Sequence, residues 1–143
     1  MNIESALKMK LIYVFRINDE AHKGCLKIGE ATCKDDTTLD LKPCCHALNQ
    51  AAKERINQYT QTAGIAYDLL YTEATIYLKQ GKFCSFNDKE VHKVLLRSGI
   101  KRKTFDKAHQ ANEWFCCDLE TVKRAIAAVK QGRISLLSQE IAD

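Results

Sequence analysis

The run Leu11-Ile12-Tyr13-Val14-Phe15-Arg16-Ile17 constrains the fold of this 143-residue chain more than any other segment. β-branched and aromatic side chains suit an extended, pleated backbone, so the run predicts a strand. Residues 18–25, Asn-Asp-Glu-Ala-His-Lys-Gly-Cys, follow as a polar loop with Gly24 near its end. Leu26-Lys27-Ile28 then reads as a short second strand, ended by Gly29. Two such strands joined by a polar loop predict an antiparallel hairpin.

The rest of the chain has to cover that hairpin. Residues 30–45 are polar and irregular and hold the single proline, Pro43. Leu48, Ala52, Ile56 and Tyr59 fall on one stripe and predict a helix over 46–61. Residues 66–77, with Tyr67, Leu69, Leu70, Tyr71, Ile76 and Tyr77, contain a third strand beside the hairpin. Val91, Val94 and Leu95 mark a second helix over 88–98, with Asn87 as N-cap and Glu90 three residues on, a capping-box spacing. A basic loop over 99–112 leads to the short apolar segment Glu113-Trp114-Phe115-Cys116-Cys117. Asp118 then caps a third helix with Leu119, Val122, Ile126 and Val129 inward. The order strand, strand, helix, strand, helix, helix predicts an α+β fold, a three-stranded antiparallel sheet flanked by helices.

The length suits a single domain over 1–143, with its core at about 10–130, and 131–143 either continuing the last helix or serving as a linker toward a further domain. No apolar run is long enough to span a bilayer, and Met1 to Lys10 lacks the apolar centre of a signal peptide, so the expected address is cytoplasmic. The net charge of +4 permits a polyanionic partner without requiring one. Seven cysteines, an odd number without a secretion signal, read as reduced thiols. Cys33, Cys44, Cys45 and His46 are zinc-ligand types, but adjacent ligands are unusual in structural zinc sites. Small buried hydrophobes and a few exposed thiols are the simpler reading.

Leu11-Ile12-Tyr13 in the first strand and Lys27-Ile28-Gly29-Glu30-Ala31-Thr32 in the second resemble the paired motifs that name the GIY-YIG endonuclease superfamily. The likeness is to the bacterial and phage branch whose second motif is Lys-Ile-Gly followed by a Thr. Three further landmarks come in the order that branch requires: Arg55 in the first helix, Asp88 with His92 in the second, and Glu113-Trp114-Phe115 before the third. The resemblance covers roughly residues 10–130. It implies a metal-dependent DNA endonuclease using Mg²⁺ (or Mn²⁺), in a module of the kind fused to helicase or restriction-type domains. The sequence departs from the family pattern at Lys27, where a second tyrosine is usual, and at Asp88, where many relatives carry Glu.

The chemistry that the resemblance implies can be set beside these residues. Hydrolysis of a phosphodiester needs an activated water, neutralised phosphate oxygens and a stabilised leaving oxygen, all in line. Tyr13 would take part in activating the water. Lys27, on the partnered strand, would either favour the Tyr13 phenolate or contact the phosphate. Arg55, beside Ala51 and Ala52 and expected at the edge of the core, would grip the phosphate with two donors. Asp88 is the preferred metal ligand because it borders the Val91–Leu95 face; Glu90 comes second, and Glu113 is a further candidate. His92 would orient Asp88 or touch phosphate. Gly29 and Tyr59 complete the site candidates, while Trp114 and Phe115 read as core. Arg97, Lys101, Arg102, Lys103 and Lys107 form a basic run suited to a DNA backbone. Two other readings stay open: a DNA-binding or targeting module of the same fold that cleaves weakly, and an interaction domain that responds to redox state or zinc through its cysteines.

Overall fold

In the computed structural model, which describes residues 9–33, 42–61, 64–104 and 114–137, the predicted hairpin is the centre of the molecule. Strand β1 (Lys10–Arg16) and strand β2 (Leu26–Thr32) pair antiparallel in an unbroken register from Lys10↔Thr32 to Phe15↔Lys27. β2 is longer than its composition suggests. Gly29 does not end the strand but sits in its middle, directly opposite Tyr13.

Strand β3 (Asp68–Ala74) pairs with the other edge of β1, with a register shift between Val14 and Phe15. Strand β6 (Trp114–Phe115) pairs with β2 at Leu26 and Lys27. The sheet is therefore four-stranded among the described residues, in the order β3-β1-β2-β6, rather than three-stranded. The apolar Trp114-Phe115 pair supplies the added strand. β4 (Ile76–Lys79) and β5 (Lys82–Ser85) form a separate two-stranded hairpin. Its turn places Gln80 at φ 53° and Gly81 at φ 78°. Two successive positive φ values are what a two-residue hairpin turn needs, and glycine takes them without penalty.

Helix α1 (His46–Thr60) covers one face of the sheet, while α2 (Asp88–Arg97) and α3 (Leu119–Lys130) pack together on the other. The faces separate with period two. Leu11, Tyr13 and Phe15 enter the core under α1 with Leu48, Ala51, Ala52 and Ile56. Ile12 and Val14 enter the core under α2 and α3 with Val91, Leu95, Val122 and Ile126. β1 is buried on both faces, as a central strand covered by two helical layers must be. The predicted caps form: Asn87 Oδ1 accepts the Glu90 N–H at 3.0 Å, and Asp118 Oδ1 accepts the Thr121 N–H at 2.8 Å. α3 ends at Lys130 and Gly132 follows at φ 73°, so the chain turns instead of continuing the helix. Among the described residues no helix is long and apolar enough to cross a membrane.

Candidate functional site at the open edge of the second strand

β6 pairs with β2 at Leu26 and Lys27, and among the described residues no strand lies beside Ile28 to Thr32 on that side. Tyr13 pairs with this stretch within the sheet, and Asp88 and His92 approach it from the α2 face.

On the α1 side, Tyr13 and Gly29 form a direct cross-strand pair. The Tyr13 ring lies across Gly29 so closely that a Cβ built there would collide with its Cζ and hydroxyl and come within 2.8 Å of Cε1. Gly29 is absent from the residues with positive φ, so the position needs glycine for space, not for its torsion angles. The same contact buries Tyr13 to 2% exposure and stacks it on Phe15, with ring centroids 5.9 Å apart. Lys27 shares this face by alternation, two residues from Gly29 and therefore diagonal to Tyr13, within reach of a long side chain. Arg55 is one turn beyond Ala51 and Ala52, which pack into the core beneath α1. Its side chain is exposed instead of lying at the core boundary, and Nη1 donates to Gln58 Oε1 at 2.9 Å. Tyr59 belongs to α1, but its side chain lies outside the described residues.

On the opposite face, α2 brings its first turn to the same strand. The Asp88 backbone N–H points at the Glu30 carboxylate, and the Asp88 carboxylate is close enough to repel it. Burial above all, and then Asp88, pushes the Glu30 carboxyl above its ordinary range, and Lys10, with Nζ 3.8 Å from Oε2, only partly offsets this. Among the described residues, Glu30 Oε1 is buried without a hydrogen-bond partner. Glu90, the second choice as metal ligand, is exposed and lies round the helix from this pair. Glu30 takes its place as the neighbour of Asp88. Its position after Gly29 was the available signal: alternation from Ile28 sets it on the α2 side.

His92 turns to the backbone of β2 and not to Asp88. It is buried, with Nε2 3.0 Å from the Ile28 carbonyl oxygen and its ring 4.9 Å from that of Phe115. A carbonyl only accepts, so Nε2 carries the proton in this contact. The histidine satisfies a strand carbonyl just past the point where β6 stops.

The basic run divides. Arg97, Lys101 and Arg102 are exposed. Residues 101–103 do not form a loose loop but are pinned alongside β6: Lys103 N–H donates to the Trp114 carbonyl at 2.9 Å, and Cys116 N–H to the Lys101 carbonyl at 2.9 Å. Arg102 lies over the Phe115 ring, 5.8 Å from its centroid, and the Lys103 ammonium is directed at the Ala21 carbonyl at 3.0 Å. Lys107 and Glu113 lie outside the described residues.

Among the described residues no group of three or more His, Cys, Asp or Glu is placed to hold a metal ion, which includes Cys33, Cys44, Cys45 and His46. A Mg²⁺ ion asks for less, often one or two carboxylates together with waters and substrate phosphate. The Asp88–Glu30 pair, with its mutual repulsion and unpartnered buried oxygen, fits such an ion.

The arrangement thus sets cationic and phenolic groups on one side of a strand and paired carboxylates on the other, one residue apart. No protein-family model, curated protein or solved structure matches the chain.

Proposed function

We propose that this domain is a metal-dependent DNA endonuclease of the GIY-YIG type, working at the open edge of β2. The observation that carries the reading is the seating of Tyr13 on Gly29, with Lys27 on the same face of β2 and Asp88 with Glu30 on the opposite face of that strand. The paired motif is then a physical unit: the tyrosine of one strand requires the glycine of the other.

In this reading Arg55 and Lys27 hold the non-bridging phosphate oxygens, with the guanidinium supplying the two-pronged contact. The Tyr13 hydroxyl helps to orient and deprotonate the attacking water. Water adds to phosphorus in line, the bond to the leaving oxygen breaks, and that oxygen takes up a proton. Asp88 and Glu30 would hold Mg²⁺ or Mn²⁺, which when bound supplies charge neutralisation at the phosphate. Arg97, Lys101 and Arg102 extend the cationic surface along the backbone of the substrate and give it salt-dependent affinity.

A second reading, a DNA-binding module that does not cleave, is favoured by the burial of Tyr13 and by the engagement of His92 with the Ile28 carbonyl. Plasmid nicking with Mg²⁺ or Mn²⁺ separates the two. Cleavage by the wild type that falls at least ~100-fold in Tyr13→Phe/Arg55→Ala supports the nuclease. Salt-sensitive binding without nicking, weakened by Arg55→Ala, supports the binding module. Nicking that the double variant leaves unchanged overturns the proposed site.

A further inference from the structure

Cys25 and Cys116 stand at the opposite end of the β2–β6 pairing from the open edge. The register Lys27↔Trp114, Leu26↔Phe115 sets them directly opposite each other when carried one residue further. Their backbone N–H groups go elsewhere: Cys25 to the His22 carbonyl at 3.1 Å and Cys116 to the Lys101 carbonyl at 2.9 Å. This is therefore a non-hydrogen-bonded cross-strand position, where paired Cα atoms come closest, about 4.5 Å apart. That spacing lies inside the range a disulfide accepts. The two sulfur atoms are 3.9 Å apart, in contact, across 91 residues of sequence.

The two thiols differ in access. Cys25 is 3% exposed, whereas Cys116 is exposed. A cleft of about 430 Å³, lined in part by His22, Lys23, Cys25 and Cys117, opens on the Cys25 side of the pair. Burial, followed by the contact with Cys116, pushes the Cys25 thiol up and disfavours its thiolate, while the exposed position of Cys116 makes it the first to meet an oxidant.

We propose that Cys25 and Cys116 are a redox modification site that closes to a reversible disulfide with oxidants of the hydroperoxide class. The Cys116 thiolate attacks the terminal oxygen of the hydroperoxide. The O–O bond breaks, the departing oxygen takes a proton, and Cys116 becomes a sulfenic acid. The Cys25 sulfur then attacks the Cys116 sulfur, the S–O bond breaks, and water leaves with the proton that Cys25 gave up. The two thiols lose two electrons and the peroxide gains them. A dithiol reductant reverses the bond by exchange. The closed form ties β6, and residues 101–103 beside it, to the start of β2. This inference stands apart from the nuclease reading.

Peptide mapping of the whole chain tests it. Trypsin releases Cys25 within Gly24–Lys27 and Cys116 with Cys117 within Ala108–Lys123. After hydrogen peroxide treatment and thiol blocking, the two peptides are expected as one species, lighter than their sum by two hydrogens, and separable again with dithiothreitol. Cys117→Ser is expected to keep the cross-link and Cys116→Ser, at an exposed position, to lose it. A Cys116–Cys117 disulfide, or a sulfinic acid at Cys116 with Cys25 still open to alkylation, overturns the proposal.

Discussion

The two faces of the central sheet are made from alternate residues of the same strands, yet they differ in kind. The α1 face is held by rings: Phe15 meets Tyr67 at 5.4 Å and Trp114 at 5.6 Å, and Tyr13 lies on Gly29. The α2–α3 face is laced with polar groups. His92 holds a strand carbonyl, Glu73 lies between the Tyr71 hydroxyl at 2.5 Å and the Lys130 ammonium, and Lys123 sits 4.8 Å from the Tyr71 ring centroid. Burial, and then the bond to Glu73, drives the Tyr71 phenol well above its ordinary range. The comparison teaches that a strand separates steric from electrostatic demands by a single residue. Gly29 answers to a ring on one side, while Glu30 answers to a carboxylate and a helix terminus on the other.

The sharpest way to break this contrast is to fill Gly29. Gly29→Val is expected to cost about 3 kcal/mol, because the added carbons overpack a site already filled by Tyr13. In a Tyr13→Ala background the same change should cost much less, a coupling that urea unfolding of all four proteins measures. Equal costs in both backgrounds would remove the steric account of the motif.

The opposite face is probed next by His92→Ala. Losing the bond to Ile28 and the contact with Phe115 is expected to cost about 2 kcal/mol. Below the melting temperature, DNA binding should change far less than in Arg55→Ala. If filter binding showed His92→Ala to be the weaker of the two, the division of labour between the faces would be wrong.

Asn87→Ala sharpens the comparison from the backbone. Loss of the cap at the start of α2 is expected to cost about 1 kcal/mol by chemical denaturation. It should also loosen the Asp88–Glu30 approach, which depends on that first turn. A cost indistinguishable from zero would show that packing alone places the turn.

The smallest effect is one of pH. The folded chain holds the Glu30 proton more tightly than the unfolded chain, whose carboxyl titrates near 4.5. This group therefore makes stability fall as pH rises from that value through the folded-state value, after which the loss levels off. Glu30→Gln deletes the contribution, so its stability should decline less than that of the wild type over the same window. Parallel stability–pH curves for the two proteins would remove the carboxylate pairing from the account.

Much of the fold was legible because its signals are local. The β1 run, the stripes of α1, α2 and α3, and the caps at Asn87 and Asp118 all lie where propensity and periodicity set them. The β4–β5 hairpin was not read, although Gln80-Gly81 is a turn signal. Its strands are four residues each, and Leu78 and Phe83 point outward at 63% and 66% exposure, so no buried period stands out. Of the candidate residues, the hairpin made the pairing of Tyr13 with Gly29 and the nearness of Lys27 legible, whereas the approach of Asp88 to Glu30 and of His92 to the Ile28 carbonyl was not.

By itself the sequence determined the three helices with the caps of α2 and α3, and the hairpin at the centre, since each depends on neighbours a few residues apart. Only the tertiary structure decided which groups share a place: Tyr13 over Gly29, Asp88 beside Glu30, Cys25 against Cys116. Those meetings depend on strand register and on which helix covers which face. Both are set by the summed burial of two cores, which no local window of residues contains.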